Sequence, residues 1–106
     1  MENTTNSFFD KVFEIVKQIP YGKVTTYGDI ARKIGSPQSS RMVGYALNSS
    51  KKMEDIPAHR VVNRKGMLTG KFHFDGTNLM QQLLESEGFI IKDNAIVNFK
   101  ENLWIP

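Results

Sequence analysis

Between Thr26 and Asn48 the chain carries a run of helix punctuation that few folds satisfy. Thr26, followed three residues later by Asp29, resembles a capping box, so a helix should open there with Ile30, Ala31 and Ile34 turned inward. Gly35 suits the left-handed residue that ends a helix. Ser36-Pro37 then reads as the cap and first-turn proline of a further helix, running from Pro37 to about Asn48. Val43, Ala46 and Leu47 give that helix its buried stripe. Two short helices joined by so tight a turn outline a helix-turn-helix, whose second helix enters a DNA groove. The expected class is a mostly α domain with short strands, a winged-helix-like helix-turn-helix DNA-binding domain.

The flanking sequence agrees with one such domain over residues 1–106. Upstream, Asn6 and Ser7 can cap a helix whose apolar residues Phe8, Phe9, Val12, Phe13, Val16 and Ile19 recur at three- and four-residue steps, stopping before Pro20 and a Tyr21-Gly22 turn. Downstream, Ser49 to Asp55 reads as a polar loop, Val61-Val62 as a short strand, and Arg64-Lys65-Gly66 as a turn into Met67-Leu68. Gly70 to Gly76 is a glycine-bounded aromatic loop. A helix from about Asn78 to Glu87 ends at Gly88, and Phe89 to Ile91 with Ala95 to Val97 read as a hairpin around Lys92-Asp93-Asn94. No signal-peptide pattern opens the chain, and no apolar run approaches the roughly 20 residues of a membrane span, so a cytoplasmic protein without membrane contact is expected.

Net charge is only +3, but eleven of the fourteen Lys and Arg lie between Ile15 and Phe72, against Asp29, Glu54 and Asp55 alone. A basic central segment suits nucleic acid and equally suits a solvated lysine-rich surface. With Val43, Ala46 and Leu47 inward, Arg41, Tyr45 and Asn48 share another face of their helix, open to a partner. Gly44 sits inside that helix, where glycine costs roughly 1 kcal/mol relative to alanine; close approach of another backbone is a common reason to keep it.

The run Ile19-Pro20-Tyr21-Gly22-Lys23-Val24-Thr25-Thr26-Tyr27, then Arg41-Met42-Val43-Gly44, then Ile56-Pro57-Ala58-His59-Arg60-Val61-Val62, resembles the C-terminal domain of O6-alkylguanine-DNA alkyltransferases. That family's hallmark is Pro-Cys-His-Arg-Val. Ala58 stands at the cysteine position, so the chain is similar to the alkyltransferase-like proteins, in which the cysteine is replaced, usually by tryptophan; alanine departs even from them. The resemblance implies that double-stranded DNA containing O6-alkylguanine is the partner. Arg41 is then the arginine finger that fills the place of an extruded nucleotide, and Tyr27 helps rotate the nucleotide's phosphate and lies in the base pocket. Gly44, Ser39 and Ser40 give the slim helix face that a minor groove demands. The lesion pocket is expected around Tyr27, Ala58 and Val61, with Phe72 and His73 in the closing loop, although counting back from Glu87 instead of forward from Gly70 shifts that pair by two. His59 and Glu87 match two members of a proton relay whose asparagine is here Ser50, and are expected as a structural remnant. Arg60 either holds the turn or contacts DNA.

The chain has no cysteine, which excludes disulfides, thiolate metal sites and every thiol nucleophile. Alkyl transfer to protein needs a strong nucleophile, so no catalytic residue and no enzyme activity are expected. No cofactor is implied. His59 and His73 without cysteine or carboxylate at ligand spacing are too few for a metal. The expected function is a monomer that marks the lesion and passes it to nucleotide excision repair proteins. The two rivals are a helix-turn-helix regulator reading undamaged sequence, more naturally a dimer, and an alkyltransferase using His73, Asp75 or Met67 as acceptor.

Overall fold

The computed structural model describes residues 4–50, 55–69 and 78–106. The elements run α1 (Thr4–Lys17), β1 (Thr25–Thr26), α2 (Tyr27–Ile34), α3 (Ser40–Ser49), β2 (Val61–Val62), α4 (Leu79–Ser86), β3 (Ile91–Lys92) and β4 (Ala95–Ile96), with 3₁₀ turns at Ala58–Arg60 and Phe99–Asn102.

α1 starts at Thr4, ahead of the expected Asn6-Ser7 cap. Thr4, Thr5, Asn6 and Ser7 are all small polar residues that accept a cap position, so local chemistry alone does not choose among them. At its other end the N–H groups of Gln18 and Ile19 turn back to Ile15 and Val16, three residues away, and Pro20 cannot continue the helix. Lys23 N–H then closes on the Pro20 carbonyl at 3.0 Å around Gly22, whose φ of +80° a side chain would resist.

The helix-turn-helix is present, with one correction. Thr26 caps α2, its hydroxyl oxygen accepting from Asp29 N–H at 3.0 Å and donating to the Asp29 carboxylate at 2.8 Å. Gly35, at φ +96°, ends it by donating to the Ala31 and Arg32 carbonyls. α3, however, begins at Ser40 and not at Pro37. Ser39 N–H bonds to the Ser36 carbonyl at 2.9 Å, so Pro37 occupies the second position of a turn, which its ring pre-sets as readily as a helix start.

Two apolar clusters hold the elements together. Val12, Ile15, Val16, Ile30, Ala31, Val43, Ala46 and Leu47 join α1, α2 and α3 to Ile56, Ala58 and Val61. Val24, Val62, Leu68, Met80, Leu84, Phe89 and Ile96 form the second around α4 and the hairpin. The parallel pair β1–β2, with Thr25 opposite Val61 and Thr26 opposite Val62, lies between them. Because successive strand residues face opposite ways, Val61 enters one cluster and Val62 the other.

The hairpin turns on two residues, not three. Lys92 pairs with Ala95, leaving Asp93 and Asn94 at φ +52° and +63°. These short polar side chains tolerate the left-handed region that a type I′ turn requires. Past the hairpin, Val24 donates to Asn102 at 3.0 Å and accepts from Trp104 N–H at 2.7 Å, a single parallel bridge to Leu103 that ties the C-terminal segment to the residue before β1. Trp104 packs against the first cluster. No helix among the described residues is long and apolar enough to cross a membrane.

Candidate nucleic-acid interface

α3 buries Val43, Ala46 and Leu47 and leaves Arg41, Tyr45 and Asn48 exposed on its outer face, as its spacing requires. That face lines an open cavity of about 530 Å³, within the ~300–1,000 Å³ usual for binding sites. Ser40 and Gly44 lie between the larger side chains, and Tyr27 and Thr69 complete the lining. Among the described residues no carboxylate pairs with Arg41. Ser39 caps α3 by position and is occupied internally, its hydroxyl 2.5 Å from that of Ser36.

Gly44 settles a point of chemistry. A Cβ built there would meet nothing within 4 Å, so the protein's own packing does not need glycine at this position. What the missing side chain provides is bare helix backbone facing outward, suited to a partner that approaches closely.

Tyr27 opens α2 directly after its cap, so Thr26 fixes where the ring is aimed. Burial pushes its phenol pKa above the ordinary value, while a bond with the Thr69 side chain works the other way. The phenol is therefore neutral at pH 7 and able to donate. Thr69 was not legible as a site residue, since it precedes an irregular loop and meets Tyr27 only through tertiary packing. Tyr45 and Asn48 were legible as an exposed face but not as cavity lining.

Ala58 starts the 3₁₀ turn, 9% exposed, with its methyl group in the first cluster; its carbonyl accepts from Val61 N–H. Val61 is fully buried there too. Neither lines the cavity, because both side chains serve the core; backbone groups are what they could offer a base. Phe72 and His73, with the whole loop from Gly70 to Gly76, lie outside the described residues.

His59 and Glu87 meet at 2.5 Å. The Glu87 side chain, 4% exposed, also accepts from Arg60 Nε at 2.9 and 3.0 Å and from Gly22 N–H at 2.8 Å. Burial alone would raise the Glu87 carboxyl pKa, but these donors together hold it below its ordinary value. Burial likewise lowers His59 against the opposing pull of Glu87, leaving a neutral imidazole at pH 7. Ser50, at the relay asparagine's position, is buried and donates to the Leu47 carbonyl at 2.6 Å. Arg60 holds the turn: it also donates to the Ile19 carbonyl at 2.9 Å and lies over the Tyr21 ring.

A family model described as the DNA-binding domain of 6-O-methylguanine DNA methyltransferase matches residues 7–89. The chain is 38% identical over 105 residues to Alkyltransferase-like protein 1 of Schizosaccharomyces pombe, covering 95% of this chain and 97% of that one. It is 37% identical over 101 residues to the DNA base-flipping protein of Escherichia coli, covering 93% and 75%. A crystal structure of the S. pombe protein in complex with damaged DNA containing O6-carboxymethylguanine matches over 100% of both chains, at 35% identity and a TM-score of 0.84. Mycobacterium tuberculosis OGT in complex with DNA matches at 37% identity and a TM-score of 0.65, over 81% of this chain and 51% of that one. With the family's model spanning most of its length and no cysteine in its sequence, the chain belongs to the 6-O-methylguanine DNA methyltransferase DNA-binding-domain family, as an alkyltransferase-like member.

Proposed function

We propose that this protein binds O6-alkylguanine in duplex DNA, with α3 in the minor groove and the damaged nucleotide rotated out of the stack, and transfers no alkyl group. The observation that carries the reading is that Arg41 and Tyr27, from different helices, line one open cavity on the outer face of the helix-turn-helix. A planar guanidinium can stack in the gap left by the extruded nucleotide and hydrogen-bond its orphaned partner. Flipping costs a few kcal/mol. The exposed Lys33 near the end of α2 adds phosphate attraction independent of sequence.

At position 58 a methyl group replaces the thiolate that would attack the alkyl carbon, so the complex is not consumed by a reaction. A persistent complex suits a protein that marks the lesion for nucleotide excision repair proteins. The S. pombe relative's complex with O6-carboxymethylguanine supports a site that takes substituents larger than methyl. The test compares binding to duplexes identical except for guanine or O6-methylguanine, followed by mass measurement of the protein. Tighter binding to the lesion and unchanged mass are expected; equal affinity, or a methylated protein, overturns the reading.

A further inference from the structure

Tyr45 is 54% exposed on α3, one turn beyond Arg41, and lines the same cavity. The fold makes no visible use of it: it belongs to neither apolar cluster, and among the described residues it has no ring contact or hydrogen bond. Its chain neighbour Gly44 is bare backbone with open space where a side chain would stand. A large aromatic beside an uncovered stretch of helix is surface that a partner can cover. Side chains at i and i+4 point the same way with Cβ atoms roughly 5–6 Å apart. With α3 lying along the groove, that separation is wider than the ~3.4 Å between stacked bases of a strand, which places Arg41 and Tyr45 at neighbouring steps.

We infer that Tyr45 is a second wedge, packing its ring from the groove against the base step beside the one Arg41 opens, and thereby making lesion affinity depend on the flanking sequence. The inference rests on the reading of α3 as the helix that enters the groove. Apolar groups inserted from the minor groove partly unstack and kink a step. Pyrimidine–purine steps unstack most easily, so a lesion flanked by TA or CA should be held tighter than one in a stiffer G·C-rich context. The ring supplies the contact and the hydroxyl is dispensable.

The experiment uses O6-methylguanine duplexes that differ only in the flanking step, read by fluorescence anisotropy, with 2-aminopurine replacing the flanking adenine as a reporter of unstacking. Wild type should favour the TA flank and raise the reporter's fluorescence. Tyr45→Ala should weaken lesion binding roughly five- to a hundredfold, abolish the flank preference and leave the reporter dark, while Tyr45→Phe retains all three. Because the side chain is exposed, both variants should melt like wild type. Arg41→Ala, run in parallel, separates the two ideas. If it loses lesion preference while Tyr45→Ala matches wild type, the wedge is wrong and the site reading stands. Loss in Tyr45→Phe equal to that in Tyr45→Ala would make the hydroxyl the contact and also overturn the wedge. A wild type that binds damaged and undamaged duplexes alike removes both.

Discussion

Glu87 takes hydrogen bonds from Gly22, His59 and Arg60, so its carboxylate is held from three sides. This bears on Ala58→Cys, which would restore the Pro-Cys-His-Arg order. An unperturbed thiol has a pKa near 8.5 and must be activated. Here the His59–Glu87 half of the relay is in place, but Ser50 stands where the relay asparagine would be and its hydroxyl is committed to the Leu47 carbonyl. Ala58→Cys should therefore gain at most slow, partial methylation from O6-methylguanine DNA, followed by intact-protein mass; rapid stoichiometric gain would show a working relay. Gly66 belongs to the same scale. At φ +79°, its missing Cβ would lie 2.7 Å from Phe99 Cγ, so Gly66→Ala combines backbone strain with overlap. A loss of roughly 2–3 kcal/mol in urea unfolding is expected.

Among the elements, α2 does two things through one residue. Thr26 satisfies the helix N-terminus and sets the direction in which Tyr27 leaves the strand. Thr26→Ala should cost about 1 kcal/mol of stability, and affinity for the lesion should fall further than affinity for undamaged DNA, because the cavity loses the aim of its phenol. Equal losses on both DNAs would separate the cap from the site. The neighbouring Thr25 behaves oppositely. Its hydroxyl is buried in β1 without a hydrogen-bond partner among the described residues, so Thr25→Val should be neutral or stabilising by up to roughly 1 kcal/mol in the same unfolding assay.

Over the whole molecule, the joint around Glu87 ties the turn after α1 to the 3₁₀ turn and the end of α4, which makes stability sensitive to acid. His59 has a folded pKa lowered from its ordinary 6.5, mainly by burial, and Glu87 one lowered from 4.5 by its donors against burial. In both cases the unfolded chain takes up a proton more readily than the folded one. Their contribution is therefore fully present above pH 6.5, starts to fall as pH drops through 6.5, and falls again below 4.5. Urea midpoints should decline in two stages on acidification, and His59→Gln should remove the first while leaving the second. A stability flat from pH 8 to 5 in wild type would contradict the buried neutral imidazole.

Features settled by a few neighbouring residues could be read directly along the chain. Thr26 with Asp29 and Gly35 bound α2, the stripe Val43, Ala46 and Leu47 turns α3, and Gly88 stops α4, because caps, left-handed residues and helical periodicity act within one or two turns. The missing cysteine excluded thiol chemistry outright. Residues with two locally acceptable conformations were not decided this way: Pro37 suits a turn or a helix start, and Lys92 suits a loop or a strand end. Nor were partners far apart in the chain, such as Thr25 with Val61, Val24 with Leu103, Glu87 with Gly22, and Tyr27 with Thr69. Two-residue strands are too short to show a periodicity, and a hydrogen bond between distant residues leaves no spacing to read. Only the packing of the two apolar clusters, which brings those backbones together, selects them.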